Sequence, residues 1–260
     1  MPDSQKKFRL IKGLYARATA RAYSEKEEEM KIGIIGAGQI GGTLTRRFSQ
    51  LGHKVFVANS RGPASLTELA KETGATAVTT SEAARAGEVV VVTIQEAKVR
   101  DLPKDLFAGV PAEVVVIDTG NYYPRERDGL IAEIENGTTE SGWVGRQLGR
   151  PVIKAFNNIY AKHLLEGGHP AGAPGRIALP VAGDDSKAKA VVLQLVNELG
   201  FDGVDAGGLD DSWRQQPGTP VYTKDFDVGG LRQALSEAKR ERTPQWKATA
   251  NSPGSFAHPA

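Results

Sequence analysis

The chain of 260 residues is 40% hydrophobic and 25% charged, which is typical of a water-soluble globular protein. Its 33 basic and 31 acidic residues give a formal net charge of +2, so no global field favours nucleic acid or an anionic membrane as a partner. Cysteine is absent, which excludes disulfides, thiolate metal sites and a cysteine nucleophile. No apolar run approaches the roughly 20 residues that span a bilayer. We therefore expect a cytoplasmic protein that binds no metal, nucleic acid or membrane.

Residues 1–29 precede the first predicted strand and carry opposite charges in separate blocks. The first 21 residues are basic and the segment Glu25–Glu29 is acidic. A transit peptide would share some of these features, but the pattern favours a solvated, partly helical extension. We expect this extension to be flexible and dispensable.

The next segment reads as a strand, a glycine-rich turn and a helix, followed by a second strand. A glycine, Gly52, ends the helix, as is common at helix C-termini. The predicted elements are the strand Lys31–Ile35, the turn Gly36–Gly42, the helix Thr43–Leu51, the strand Lys54–Ala58, the helix Leu66–Glu72, the weak strand Ala75–Thr79 and the short helix Glu82–Arg85, capped by Ser81.

Two further runs, Val89–Ile94 and Glu113–Asp118, are continuous stretches rich in β-branched residues. Such runs without alternation are typical of strands covered on both faces of a parallel sheet. A helix over Lys98–Phe107, interrupted by Pro103, lies between them, and Pro151–Phe156 supplies a sixth strand. The alternation of strands and helices predicts an α/β Rossmann domain with a doubly wound parallel sheet over residues 30–160.

After residue 160 a loop rich in glycine and proline marks a predicted domain boundary. Residues 161–242 are predicted to form a smaller αβ domain from the strand Ile177–Ala182, the helix Ser186–Leu199, the strand Gly203–Ala206 and the helix Val228–Arg240. Residues 243–260 contain prolines and few apolar residues, so we expect a disordered tail.

The turn matches the pattern GxGxxG in the context that gives the pattern physical meaning, between a strand and a helix. Gly36 makes the tight turn, Gly38 lets the backbone approach a pyrophosphate, and Gly41 allows the helix to pack closely. Gln39 and Ile40 complete the turn, whose helix N-terminus faces the phosphates. The pattern predicts a dinucleotide site.

Three residues after the second strand, Asn59, Ser60 and Arg61, indicate which dinucleotide binds. An NAD site places Asp or Glu there to accept a hydrogen bond from the ribose 2′-hydroxyl. Ser60 can instead donate to a 2′-phosphate, and Arg61 can form a charge-assisted fork with it. The sequence therefore favours NADP, although Arg61 could also be a solvated loop arginine.

Other candidate contacts follow the fourth, fifth and sixth strands, at the carboxyl edge where ligands bind in open α/β sheets. We assign Asn121 and Asn157 as candidate contacts to the nicotinamide or the substrate, although asparagine also favours turns. The full set at this edge is Thr93, Ile94, Gln95, Gly120, Asn121 and Asn157.

Several segments spread over about half the chain resemble one protein family, and a weaker resemblance continues after residue 180. Residues 31–41, 58–61, 115–118 and 152–157 resemble the NADPH:deazaflavin oxidoreductases, the 8-hydroxy-5-deazaflavin-dependent NADP oxidoreductase family. The resemblance implies that Ser60 and Arg61 hold the 2′-phosphate and that the small C-terminal domain packs against a second subunit in a homodimer. Archaeal members have histidine in the segment occupied here by Asn157–Ile159. The identity of the hydride acceptor is therefore left open by the sequence.

Hydride transfer to a flavin-like acceptor requires positioning and a dry site more than a general acid. No histidine here lies in a recognisable acid–base pattern, and no catalytic residue is assigned. Lys154 is the strongest candidate base or substrate contact, and Lys162 and His163 are candidate acids. We predict hydride transfer between NADP(H) and a deazaflavin or flavin-like acceptor. The alternatives are reduction of a small carbonyl or imine compound and a non-catalytic NADP-sensing module.

Overall fold

The computed structural model describes residues 29–260, and the predicted extension before residue 29 lies outside the described residues. Within this range, six strands form one parallel sheet in the order β3-β2-β1-β4-β5-β6. This order is that of a dinucleotide-binding Rossmann fold, so the predicted fold class is confirmed. The strands are β1 Lys31–Ile35, β2 Lys54–Ala58, β3 Thr76–Ala77, β4 Val89–Val92, β5 Val115–Asp118 and β6 Ile153–Lys154.

Helices cover both faces of this sheet, and a second unit follows it. The helices are α1 Gln39–Gln50, α2 Thr67–Thr73, α3 Thr80–Ala86, α4 Ala132–Glu135, α5 Glu140–Leu148, α6 Ala161–Glu166, α7 Ser186–Glu198 and α8 Val228–Glu237. The second unit has a two-stranded parallel sheet, in which β7 Ala178–Val181 pairs with β8 Asp202–Asp205 and α7 connects them. No helix within residues 29–260 is long and apolar enough to cross a membrane.

The sequence of β4 explains how the central sheet is buried. Its four consecutive valines are all buried, and alternate side chains enter the apolar cores on opposite faces of the sheet. Val89 and Val91 belong to the core that also contains Leu195 of α7. The second unit therefore shares one core with the first sheet, and an antiparallel bridge between Lys154 and Ala182 joins the two sheets.

Several element boundaries differ from those predicted. The helix predicted over Lys98–Phe107 is a 3-10 helix over Glu96–Asp101, because Pro103 disfavours the helical conformation at Leu102, whose ψ is 148°. The cap of α3 is Thr79 rather than Ser81. Helices α4, α5 and α6 have no counterpart among the predicted elements.

Residues 243–260 pack against the Rossmann domain, which differs from the disordered tail expected from composition. Trp246 contacts Tyr123, with 6.1 Å between the ring centres. The backbone N–H groups of Gly254 and Ala260 donate to the carbonyl of Arg125. Aromatic contacts and backbone hydrogen bonds thus order a segment whose composition includes few large apolar residues.

Candidate cofactor-binding site

The glycine turn between β1 and α1 has the geometry that a dinucleotide requires. Gly36 has a φ of +111°, and a Cβ there would lie 2.2 Å from the carbonyl oxygen of Thr93. A Cβ on Gly41 would lie 1.9 Å from the carbonyl oxygen of Gly36, so this glycine lets α1 pack against the turn. A Cβ on Gly38 would meet nothing within 4 Å, because Gly38 faces open space.

The N-terminus of α1 is suited to an anion. Its N-cap residue, Gly38, supplies no side-chain cap, and its first turn holds no acidic residue. Free N–H groups and the positive end of the helix dipole therefore face the open space beside Gly38. The residues present fit the pyrophosphate of a dinucleotide.

A cavity of about 990 Å³ extends from this turn along the carboxyl edge of the sheet. Twelve of the 14 residues predicted to bind the cofactor line it, and they come from the ends of four strands. These twelve are Gly36, Gly38, Gln39, Ile40, Asn59, Ser60, Arg61, Thr93, Ile94, Gln95, Gly120 and Asn121. The other two, Gly41 and Asn157, lie behind the cavity wall and support it.

At one end of the cavity, the loop after β2 presents Ser60 and Arg61 to solvent. The side chain of Asn59 fixes this loop, because its Oδ1 accepts from the backbone N–H of Arg61 at 2.9 Å. The guanidinium of Arg61 has no hydrogen-bond or ion-pair partner among the described residues. A free cation at this position can receive a 2′-phosphate.

The loop after β5 is held by a buried ion pair beneath it. Lys154 Nζ donates to Asp118 Oδ2 at 3.1 Å and to the carbonyl of Gly120 at 2.6 Å. Ser141 donates to the same carboxylate at 2.6 Å, and Gly120 N–H donates to Asp118 Oδ1 at 2.8 Å. The two lining residues Gly120 and Asn121 are therefore presented by a rigid support.

The hypothesis that Lys154 is a base or a substrate contact is not supported by this arrangement. The side chain is fully buried and does not line the cavity. Burial alone disfavours the ammonium, but the charges of Asp118, Glu96 and Glu140 outweigh it and raise the pKa of Lys154. A lysine with a raised pKa stays protonated at neutral pH, so Lys154 acts as a positioning residue.

A second buried group under the same loop, Glu96, is not anticipated by the sequence pattern. It follows the lining residue Gln95, is fully buried, and neither carboxyl oxygen has a hydrogen-bond partner among the described residues. A Cβ on Gly120 would lie 2.3 Å from Glu96 Oε2, so the carboxyl group packs directly on Gly120. Burial, followed by the charge of Asp118, raises the pKa of Glu96 well above its ordinary value. This shift favours the protonated form of the carboxyl group beneath the cavity floor.

Asn157 is buried and acts through Asn121. Asn121 Nδ2 donates to the carbonyl of Asn157 at 2.9 Å, and Asn157 Nδ2 donates to Asn121 Oδ1 at 3.0 Å. Gln215 Nε2 donates to Asn157 Oδ1 at 2.9 Å. The predicted direct contact from Asn157 is therefore replaced by a supporting role, which also connects the Trp213–Tyr222 loop to the cavity.

Three residues that line the end of the cavity far from Arg61 are not predicted from the sequence: Tyr123, Arg127 and Phe256. The Arg127 guanidinium lies 4.9 Å from the centre of the Tyr123 ring, and the Tyr123 hydroxyl forms a hydrogen bond with the hydroxyl of Tyr222. The candidate acids Lys162 and His163 do not line the cavity, and His163 pairs with Asp225 at 2.6 Å. Only tertiary contacts bring the aromatic residues of this end together.

Comparisons with known proteins agree with this geometry. Residues 31–122 match the family described as NADP oxidoreductase, coenzyme F420-dependent. The chain is 45% identical over 91 residues to the putative protein YjhV of Escherichia coli K12, an alignment that covers 35% of this chain and 59% of that protein. It is 27% identical over 212 residues to the F420-dependent NADP reductase of Methanothermobacter thermautotrophicus, which covers 74% of this chain and 87% of that protein.

A solved structure extends the likeness beyond the Rossmann sheet. The hypothetical protein SMa0349 of Sinorhizobium meliloti aligns with a TM-score of 0.64 and 28% identity. The alignment covers 79% of this chain and 98% of that protein. The shared fold therefore includes the second unit as well as the dinucleotide-binding sheet.

Proposed function

We propose that this chain, which has a Rossmann fold, is an NADP-dependent oxidoreductase that transfers hydride between NADP(H) and a deazaflavin or flavin-like acceptor. The observation that carries the proposal is that one cavity is lined by three features: a glycine turn suited to an anion, the unpaired Arg61 and an aromatic end. The likeness to the F420-dependent NADP reductase of Methanothermobacter thermautotrophicus supports the acceptor class.

NADP is the cofactor class of the site, and the residues of the turn and of β2 would hold it. The α1 N-terminus and the open space at Gly38 suit the pyrophosphate, and Ser60 with Arg61 suit the 2′-phosphate. When bound, NADPH supplies the hydride.

The residues at the other end would orient the reacting rings. Gly120 and Asn121 are fixed from below by Lys154, Asp118 and Asn157, which is the preorganisation that hydride transfer requires. No histidine of the described residues lines the cavity. A conjugated acceptor fits this site, because its reduction depends on positioning more than on a strong general acid.

A panel assay of NADPH oxidation tests the acceptor. The purified protein is mixed with NADPH and, separately, with deazaflavin, FMN, FAD, ferric chelates, imines and hydroxy or oxo acids, with an acceptor-free control. We expect turnover with deazaflavin or a flavin. Turnover confined to imines or to hydroxy and oxo acids would contradict the proposal, and tight NADPH binding without turnover would indicate a sensing module.

We also propose that the chain forms a homodimer, as its resemblance to the deazaflavin family implies. Light scattering over a range of concentrations is expected to give twice the mass of one chain. A mass of one chain at every concentration would refute the dimer.

A further inference from the structure

The end of the cavity opposite Arg61 carries apolar surface that the protein leaves uncovered. Phe256 lines this end, yet 65% of its surface is exposed, and it is one of three large exposed hydrophobic residues in the described part of the chain. Its ring meets Tyr123 edge to face, with 5.6 Å between the ring centres. An exposed aromatic ring on a cavity wall is available to a ligand.

The position of Phe256 is built by the segment 243–260. Trp246 packs against Tyr123 and Tyr222, with ring centres 6.1 and 6.3 Å apart, and its ring seats against Gly218. Hydrogen bonds from the N–H groups of Gly254 and Ala260 to the carbonyl of Arg125 hold the backbone on both sides of Phe256.

These anchors also involve the loop Trp213–Tyr222. The loop Trp213–Tyr222 contributes Gly218 and Tyr222 to the aromatic cluster, and Gln215 of the same loop holds Asn157. Both the loop and the segment 243–260 therefore converge on the end of the cavity where Gly120 and Asn121 lie.

We propose that Phe256 and Tyr123 form the acceptor subsite and that Phe256 determines specificity for a planar conjugated ring. Aromatic rings bind such rings through stacked or edge-to-face contacts, which tolerate different substituents but require a π-system. The exposed Phe256 ring, beside a Tyr123 ring held by Arg127, supplies that surface. The proposal rests on the proposed function, because it assigns the second substrate of the same site.

The test separates binding of the acceptor from binding of the cofactor. Phe256→Ala is expected to raise the KM for FMN or deazaflavin and the Kd of FMN in the presence of NADP⁺ by roughly 3- to 10-fold, the range of one aromatic pair. The Kd of NADPH is expected to stay at the wild-type value. Phe256→Trp is expected to restore the acceptor KM, and Phe256→Leu is not. Because Phe256 is exposed, the variants are expected to unfold at the wild-type temperature.

Tyr160→Ala is the matched control, since Tyr160 is an exposed aromatic residue, 54% accessible, that does not line the cavity. Unchanged FMN binding in Phe256→Ala, or equal losses in Tyr160→Ala, would overturn the subsite. A weaker NADPH complex with an unchanged acceptor would also overturn it, because Phe256 would then cover the cofactor. If the wild-type protein binds FMN but does not oxidise NADPH, the proposed function alone is refuted. If it binds neither FMN nor deazaflavin, the subsite is refuted.

Discussion

At the scale of single residues, Arg61 is the group that can distinguish NADP from NAD. The two cofactors differ only at the 2′-phosphate, and the Arg61 guanidinium is exposed on the cavity without a partner among the described residues. A charge-assisted hydrogen bond contributes about 1.5 to 3 kcal/mol, and about 1.4 kcal/mol corresponds to tenfold in affinity. Arg61→Ala is therefore expected to weaken NADPH binding by roughly 10- to 100-fold while NADH binding is unchanged.

Titration of wild type and Arg61→Ala with both cofactors measures this discrimination. Arg85→Ala serves as the control, because Arg85 is exposed but does not line the cavity. Equal losses of affinity for NADPH and NADH in Arg61→Ala would mean that the arginine stabilises the loop and does not bind the 2′-phosphate.

The raised pKa of the buried Glu96 carboxyl group makes the stability of the protein depend on pH. Burial raises its pKa in the folded state, whereas in the unfolded chain the value is near the ordinary 4.5. The folded state therefore binds the extra proton, so the contribution of Glu96 is fully present below pH 4.5 and is lost as pH rises through the folded pKa. The neighbouring Asp118, Glu140 and Asp128 reinforce this shift, and Lys154 opposes it.

Glu96→Gln keeps the shape of the side chain and removes its titration. We expect the free energy of unfolding of the variant, relative to wild type, to increase with pH above 4.5 by up to about 1.4 kcal/mol per unit. Urea unfolding of both proteins across this range measures the difference. A difference that does not change with pH would show that Glu96 is ionised in the folded protein.

At the scale of elements, α3 offers a direct comparison between two possible caps. The Thr79 hydroxyl accepts from the Glu82 N–H, and the Glu82 carboxylate accepts from the Thr79 N–H at 2.8 Å, which completes a capping box. Thr79→Ala is expected to lower the free energy of unfolding by about 0.5 to 2 kcal/mol. Ser81→Ala, at the position favoured by sequence, is expected to change it by less than about 0.5 kcal/mol. A larger effect at Ser81 would contradict the observed boundary.

The elements that sequence predicts well are those whose local pattern has one explanation. Four consecutive β-branched valines, as in β4, favour a strand buried on both faces, and the glycine spacing at Gly36, Gly38 and Gly41 fits the turn of a dinucleotide site. Helix α5 is missed because Gly142 and Gly145 weaken its helical pattern and only part of it faces the core. Local pattern thus fixes the sheet and the cofactor turn but not the helices that depend on tertiary packing.

The cavity residues next to the glycine turn are predictable for the same reason, and those at the proposed acceptor end are not. Asn59–Arg61 lies at a fixed position relative to the turn in any Rossmann sheet. Tyr123 and Phe256 meet although 133 residues separate them in the numbering of the chain, and no periodicity records such a contact. The role of Glu96 is hidden because a carboxyl group next to a loop is usually solvated.

At the scale of the whole molecule, the two ends of the chain are expected to contribute differently to stability and to ligand binding. Among the described residues, those that form the turn, the cavity and the two cores of the central sheet begin at Met30, and the ion pair that Glu29 forms with Lys54 is exposed. We therefore expect deletion of residues 1–29 to leave NADPH binding and the unfolding temperature unchanged. Residues 243–260 instead hold Trp246 and Phe256 against Tyr123, and their removal exposes the aromatic cluster. Deleting them is expected to lower the unfolding temperature and to raise the KM of a flavin-like acceptor several-fold, with a smaller effect on the NADPH Kd. Calorimetry and steady-state kinetics on both truncated chains distinguish these cases: a C-terminal deletion that behaves like wild type would mean that the segment is dispensable, as its composition alone suggests.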